Sequence, residues 1–143
     1  MRSRFPIAVH LLFIKNGNIL LLRRFNTGYE DGNYSLVAGH LEAGETVTQT
    51  AIREAHEEAG VQIAPENIQV AHVIHRKSND ERIDFFVQVK AWDGEICNME
   101  PDKCDDLSWF PLAELPVNMI PYVRFGLENY QKGVFYSEYG WKG

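Results

Sequence analysis

An amphipathic segment that runs from Thr46 to Ala59 sets the first limit on the architecture of this chain. At about 100° per residue, one arc of its helical wheel collects the apolar residues Val47, Ala51, Ile52, Ala55 and Ala59. Because three of these residues are alanines, the predicted helix can approach a sheet closely. Gly60 follows directly and is the residue type that most readily ends a helix. The segment therefore predicts a helix that packs one face into a core.

The segments around this helix alternate between apolar and polar residues, as strands do. Residues 7–14 and 19–22 flank an Asn-Gly turn, which predicts a hairpin. Further strands are predicted at residues 34–38, 68–74, 83–92 and 107–110. Residues 111–115 indicate one helical turn, and Pro at a first helical position predicts a second helix over residues 121–132. Strands, two helices and one long crossover together predict an α/β sandwich with a mixed sheet.

Length and composition exclude several classes of protein. The 143 residues predict one domain, residues 1–143, and the 45% hydrophobic and 12% aromatic content argues against disorder. A net charge of -6 argues against a partner that is a nucleic-acid polymer. No apolar run is long enough for a membrane span, and no signal-peptide cleavage site follows residues 7–14. Cys97 and Cys104 fit two free thiols, so we expect a cytoplasmic protein without a membrane partner.

Three glutamates on the predicted helix indicate a metal site. Glu54, Glu57 and Glu58 are spaced i, i+3 and i+4, so they project from one side of the helix. Their mutual repulsion would be removed by a divalent cation, and ligand sets of oxygen alone suit Mg²⁺ or Mn²⁺. Gly39 lies in the loop before the helix and could offer its carbonyl to the metal.

Two further charged residues have a predicted structural role beside these ligands. Glu45 lies at the helix start, where the macrodipole favours negative charge. Arg53 could pair with Glu45 and so tie the loop to the helix. We nevertheless include Arg53 with Glu54 and Glu57 in the predicted catalytic group.

The residues from Gly39 to Val61 resemble the signature of the Nudix hydrolases, the MutT-like family. The matching pattern is Gly39-x5-Glu45-x7-Arg53-Glu54-Ala55-x-Glu57-Glu58-x-Gly60-Val61. The chain departs from many members at Leu36-Val37-Ala38, where they have Pro and a second Gly, but no carboxylate is lost. The resemblance implies a Nudix-type α/β/α sandwich with a mixed β-sheet, formed by a single domain over residues 1–143.

The resemblance also implies a reaction, namely hydrolysis of a phosphoanhydride bond in a nucleoside diphosphate linked to a group X. A metal-activated water would attack one phosphorus. Carried over by position, Glu57 and Glu58 are metal ligands, Gly39 supplies its carbonyl, and Glu54 is the general base or shares the metal. Some members place the base outside the signature, where the candidates here are Glu100, Asp102, Asp105 and Asp106.

The predicted substrate contacts are Arg23, Glu100 and Asn118. Arg23 ends the second strand and could bind phosphates, although it could equally be a charged strand end, and Arg24 should point the opposite way. Asn118 could bind a base edge through its amide. An aromatic residue near the long loop could stack on a base or serve in packing, with Phe25, Tyr29 and Tyr34 as the candidates.

The segment from Asn98 to Phe110, with Leu115-Pro116, resembles the C-terminal part of MutT-type members that act on nucleoside triphosphates. We therefore expect a small-molecule nucleotide substrate, a (deoxy)nucleoside triphosphate cleaved to the monophosphate and pyrophosphate. Two alternatives stay open: a hydrolase of ADP-ribose or nucleotide sugars, and a sensor module without turnover. Whether the chain forms a homodimer is also left open.

Overall fold

The computed structural model describes residues 2–142, which fold into eight strands, two helices and one 3₁₀ turn. The strands are β1 (Ile7–Lys15), β2 (Asn18–Arg24), β3 (Tyr34–Ser35), β4 (Val37–His40), β5 (Ile68–Lys77), β6 (Glu81–Val89), β7 (Cys104–Pro111) and β8 (Tyr136–Tyr139). The helices are α1 (Val47–Ala59) and α2 (Pro121–Gln131), and the 3₁₀ turn is Pro65–Asn67. In these residues, neither helix has the length and apolarity that a membrane crossing requires.

The strands form one mixed sheet in the order β3-β2-β1-β6-β5-β8, with β4 paired to β1 and β7 paired to β2. β1 runs parallel to β6, and β5 runs parallel to β8. The remaining neighbours are antiparallel. β1 lies at the centre and pairs with β2, β4 and β6, which is why its residues are among the most buried in the chain.

Two hydrophobic clusters cover opposite faces of the sheet. On one face, Val9, Leu11 and Phe13 of β1 pack with Ala51, Ala55 and Ala59 of α1, and all six are fully buried. On the other face, Leu12 of β1 and Phe86 of β6 pack with Val123 and Leu127 of α2. Because strand side chains alternate between faces, one strand contributes to both clusters. The predicted α/β/α sandwich with a mixed sheet is confirmed.

Both ends of α1 carry the chemistry that fixes a helix terminus. At the N-cap, the Thr46 side chain accepts a hydrogen bond from the backbone N–H of Gln49, and the Gln49 side chain accepts one from the backbone N–H of Thr46. At the other end, Gly60 adopts a left-handed conformation with φ 71° and donates its backbone N–H to α1 carbonyls. The helix therefore begins and ends at positions that its own sequence specifies.

The structure differs from the sequence prediction in four elements, one of which is the 3₁₀ turn Pro65–Asn67, which was not predicted. The strand β8 was not predicted, because its residues are polar or partly exposed and their pairing with β5 is a long-range contact. Residues 111–115 were predicted as one turn of helix but form a non-helical turn. A hydrogen bond from the Glu114 N–H to the Pro111 carbonyl closes this turn. The single strand predicted at residues 34–38 is divided into β3 and β4, which pair with different neighbours.

We expect Thr46→Ala to lower the free energy of unfolding by about 1 kcal/mol, because it removes the side-chain half of the capping box. Thr48→Ala is the matched control, since Thr48 lies two residues further along the same helix and makes no side-chain hydrogen bond in residues 2–142. Denaturant titration of both variants measures the difference. Equal stability of the two variants would show that the cap contributes nothing.

Candidate active site

The close approach of α1 to β4 places Glu54 directly beneath Gly39. A Cβ atom at Gly39 would overlap the carboxylate of Glu54, so only glycine fits at this position. Glu54 is 7% exposed, which is unusual for a carboxylate. The backbone of Gly39 and the Glu54 carboxylate are therefore held together by the packing of a helix on a strand.

Glu58 lies one helical turn further along α1 and also turns toward β4. Its Oε1 accepts a hydrogen bond of 3.2 Å from the backbone N–H of Ala38. Burial, followed by its hydrogen bond with Glu54, raises the pKa of Glu58 well above the usual range, and repulsion from Glu100 adds to this. Burial also raises the pKa of Glu54. The two carboxyl groups therefore favour an arrangement in which they share one proton.

Arg53 connects the loop before α1 to the carboxylates on the helix. Its Nε and Nη2 donate to the two carboxylate oxygens of Glu45 at 2.8 and 2.9 Å. Its Nη1 donates to Glu54 Oε1 at 2.7 Å and reaches Glu57 Oε2 at 3.5 Å, while Nη2 also donates to the His40 carbonyl. The hydrogen bonds from Arg53 lower the pKa of Glu45 to about 2. One guanidinium thus fixes the loop and holds Glu54.

The α1 carboxylates and the Gly39 carbonyl fit a divalent cation in chemistry. Across residues 2–142, no three acidic, histidine or cysteine side chains are grouped as a metal site. The carboxylates instead have partners within the protein: Arg53 bridges Glu54 and Glu57, and Glu58 is hydrogen-bonded to Glu54. Glu57 is half exposed and can turn without disturbing the core. Carboxylate and carbonyl oxygens are the ligands that Mg²⁺ prefers.

A cavity of about 830 Å³ opens beside these residues. Gly39 and Glu58 line it from the β4 and α1 side, and Glu100 lines it from the loop before β7. Its volume lies within the range of ligand pockets, roughly 300 to 1,000 Å³. The predicted ligands Gly39 and Glu58 and the candidate Glu100 therefore border a space that can hold a nucleotide-sized molecule.

Two predicted substrate contacts lie elsewhere. Arg23 forms an ion pair with Asp105 at 2.7 Å and does not line the cavity; its neighbour Arg24 does. The expectation that the two arginines point in opposite directions agrees with this, but the cavity is on the Arg24 side. Asn118 also does not line the cavity, because its side chain donates to the Gly32 carbonyl at 2.9 Å and closes the loop before β3.

Several residues on the cavity wall were not identified from the sequence. Arg24 and Lys103 bring positive charge to the wall, and His10, Arg76 and Tyr122 form another part of it. Tyr29 was considered for stacking and does line the cavity, whereas Tyr34 is buried and donates to Asp106. The signal in the sequence is His10, which is the single polar residue between Ile7 and Ile14 of β1.

Comparison with known families gives the class of protein. Residues 4–129 match the sequence profile described as the NUDIX domain. This match covers most of the chain, so the chain belongs to the Nudix family. The membership in this hydrolase family that residues 39–61 predicted is confirmed.

The chain is also similar in sequence to named members of that family. The chain is 32% identical over 112 residues to the NAD-capped RNA hydrolase NudC of Pseudomonas aeruginosa, an alignment that covers 74% of this chain and 36% of that protein. It is 32% identical over 106 residues to the protein of the same name from Stutzerimonas stutzeri, covering 74% and 37%. The chain thus spans little more than a third of the length of these relatives.

Solved structures agree with the fold. The MutT Nudix hydrolase from Burkholderia pseudomallei superposes with a TM-score of 0.79 at 25% identity, covering 88% of this chain and 98% of that one. The MutT protein from Methanosarcina mazei Go1 gives a TM-score of 0.77 at 20% identity, covering 92% and 96%. The second likeness shows the fold alone.

We expect Arg53→Gln to raise the pKa of Glu45 from about 2 toward its ordinary value of 4.5, because the two charged hydrogen bonds are lost. Because the pKa of Glu45 is lower in the folded state than in the unfolded chain, the pair of Arg53 and Glu45 stabilises the fold at pH values above the ordinary carboxyl pKa. That contribution is lost as the pH falls toward 2.

Carboxyl ¹³C NMR titration measures this shift directly. Asp31 is the internal control, because Thr27 and Gly28, and not Arg53, lower its pKa. An unchanged Glu45 titration in Arg53→Gln would contradict the assignment of the shift to Arg53.

Proposed function

We propose that the chain is a Mg²⁺-dependent pyrophosphohydrolase that cleaves a phosphoanhydride bond of a nucleoside diphosphate linked to a group X. The observation that carries the proposal is Glu58, which lines a nucleotide-sized cavity and is hydrogen-bonded to Glu54, the carboxylate packed under β4. Glu57, Glu58 and the Gly39 carbonyl would hold the metal, with Glu54 sharing it or acting as the base. Bound there, a divalent cation supplies charge neutralisation for the phosphates and acidifies a water.

The residues around the metal ligands have separate proposed tasks. Arg53 positions Glu54 through a 2.7 Å hydrogen bond and is itself oriented by Glu45. The packing of α1 on β4 excludes bulk water from the Glu54 side. On the cavity wall, Arg24 and Lys103 place positive charge where phosphate oxygens need it.

Glu54 and Glu100 are the two candidates that we propose for the general base. Glu100 lines the cavity together with Glu58. The other acidic residues considered outside the helix are engaged or distant: Asp105 pairs with Arg23, Asp106 accepts from Tyr34 and Ser108, and Asp102 does not line the cavity. The Glu54→Gln and Glu100→Gln variants separate the two candidates, because only loss of the base removes the acidic limb of the pH–rate profile.

We propose a (deoxy)nucleoside triphosphate as the substrate, with the monophosphate and pyrophosphate as products. Support comes from the cavity volume of about 830 Å³ and from the basic residues on its wall. It also comes from the resemblance of residues 98–110 to MutT-type members and from the 25% identical MutT Nudix hydrolase of Burkholderia pseudomallei.

A second candidate substrate is a dinucleotide pyrophosphate such as NAD, free or as an RNA cap. The observation that favours it is the 32% identity to proteins named NAD-capped RNA hydrolase. The net charge of -6 counts against the RNA form, because a polymer needs a basic surface. Hydrolysis of ADP-ribose or a nucleotide sugar belongs to the same reaction class and stays an alternative.

Several sequence-based expectations stay predictions. These are the single domain over residues 1–143, the cytoplasmic location, the preference for Mg²⁺ over Mn²⁺, and a partner that is a small molecule instead of a polymer. Homodimer formation stays open.

We expect Glu57→Gln to lower turnover by at least about a hundredfold, because the amide is a poorer ligand for Mg²⁺ than the carboxylate it replaces. Glu57 is half exposed, so the fold should be unaffected. Glu66→Gln on the exposed 3₁₀ turn is the matched control. Steady-state assays in Mg²⁺, with circular dichroism for the fold, test this. Near-normal turnover by a folded Glu57→Gln protein would overturn the proposed function.

We expect the four common nucleoside triphosphates to give pyrophosphate in Mg²⁺, and we expect chelation of the metal to stop the reaction. The panel also contains NAD, ADP-ribose and a nucleotide sugar, with products separated by ion-exchange chromatography. Faster cleavage of NAD than of any triphosphate would favour the second candidate. Direct release of orthophosphate from a triphosphate would exclude pyrophosphate as the product.

A further inference from the structure

A group of polar side chains lies under one part of the cavity, separate from the carboxylates of α1. Asp84 of β6 is fully buried and accepts hydrogen bonds from Arg76 Nε at 2.7 Å, from Arg76 Nη2 at 3.2 Å and from His10 Nε2 at 3.1 Å. The Arg76 guanidinium lies over the Tyr122 ring, with Cζ 3.6 Å from the ring centroid. His10, Arg76 and Tyr122 line the cavity, and we call these three residues the polar floor.

His10 leaves one polar atom without a partner. The residue is 2% exposed, and within residues 2–142 its Nδ1 is the single buried side-chain nitrogen or oxygen that has no hydrogen bond. Because the carboxylate of Asp84 can only accept, the proton of His10 is on Nε2 and Nδ1 is an acceptor in the neutral ring. Leaving such an atom buried and unpaired costs roughly 1–3 kcal/mol, so an unpaired group calls for an explanation.

The other two residues of the polar floor also keep unused hydrogen-bonding groups. Arg76 donates hydrogen bonds from Nε and Nη2 to Asp84, and its Nη1 bonds to no residue in the described chain. The Tyr122 hydroxyl likewise bonds to no residue in the range 2–142. Arg76 and Tyr122 thus offer a free donor and a free hydroxyl on the cavity wall, and the acceptor of His10 lies buried directly behind it.

The charge of the polar floor selects the kind of group that fits there. Arg76 is neutralised by Asp84, whose pKa is lowered, against the effect of burial, by hydrogen bonds from His10 and Arg76. With a neutral imidazole the group carries no net charge, so it offers little attraction to a phosphate. The rings of Tyr122 and His10 pack edge to face, with centroids 5.7 Å apart, and such an aromatic surface favours a flat and neutral polar ligand instead.

We propose that the polar floor binds the nucleobase of the substrate, with His10 Nδ1 accepting from a base N–H and Arg76 Nη1 donating to an adjacent acceptor. This deepens the proposed function and rests on it, because the phosphates of the same molecule would lie at Gly39 and Glu58 on the same cavity. Since Nδ1 is buried, the side chains around the His10 ring, among them Phe86 and Tyr122, must move apart for the base to reach it. His10 is then a residue that determines specificity and takes no part in the bond cleavage.

The test compares each nucleoside triphosphate with ribose 5-triphosphate, which lacks the base. We expect His10→Leu to lower the ratio of the two kcat/KM values about tenfold, because the loss of a buried hydrogen bond affects only the substrate with a base. His72→Leu is the matched control, since His72 is fully buried against the same Phe86 but does not line the cavity. We expect His72→Leu to leave the ratio within twofold of the parent.

A second pair of variants covers the case in which His10→Leu does not fold. Tyr122→Phe removes one hydroxyl and keeps the ring under Arg76, and we expect it to lower the same ratio about threefold. Tyr130→Phe, on the same helix but outside the cavity wall, should leave the ratio unchanged. An unchanged ratio in a folded His10→Leu protein, or in Tyr122→Phe where His10→Leu fails to fold, overturns the proposal. An equal loss on both substrates overturns it as well.

Binding without turnover separates this inference from the proposed function. Adenosine, guanosine, cytidine and uridine are titrated into metal-free protein, with the ¹⁵N resonances of the His10 ring observed by NMR. We expect at least one nucleoside to shift Nδ1 and to bind about tenfold more weakly to His10→Leu. If no nucleoside shifts Nδ1, the polar floor does not bind a base, even if the protein hydrolyses nucleotides. If a nucleoside binds there but no nucleotide is cleaved, the base site stands and the proposed function fails.

Discussion

The packing of α1 against β4 at Gly39 decides where the carboxylates of this protein lie. Fully buried alanines at positions 51, 55 and 59 bring the helix axis close to the sheet, and the absence of a side chain at Gly39 leaves room for Glu54. A larger residue at any of these positions would push the helix outward, and the interior tolerates such overpacking at a cost of roughly 1–3 kcal/mol. The same packing of α1 on β4 therefore forms part of the hydrophobic core and positions the carboxylates of the candidate active site.

Burying carboxylates in this way is unfavourable unless each one is compensated. The structure compensates them by three means: the guanidinium of Arg53, the backbone N–H of Ala38, and the hydrogen bond between Glu54 and Glu58. Of these three partners only Arg53 carries a positive charge, so the acidic groups of α1 outnumber the charge that compensates them.

The sequence was sufficient for α1 and its surroundings, because the information there is local. The helical period, the Thr46 cap and the terminal Gly60 are all set by residues within one segment. The strand β8 and the position of the cavity could not be predicted in the same way, since both depend on which distant strands become neighbours. Arg23 illustrates the difference: its alternation with Arg24 was visible in the sequence, but which side faced the cavity was decided by the pairing of β2 with β7.

The same reasoning applies to the polar residues inside the strands. His10, Arg76 and Asp84 lie on three different strands, and only the order β1-β6-β5 places them side by side. The ion pair of Arg76 and Asp84 balances the charge in this part of the cavity, while Glu58 and Glu100 bring acidic groups to the part near Gly39. A net charge of -6 then conveys little about the ligand, because the cavity presents two different electrostatic environments. A molecule with a flat neutral end and a metal-bound anionic end satisfies both of them at once.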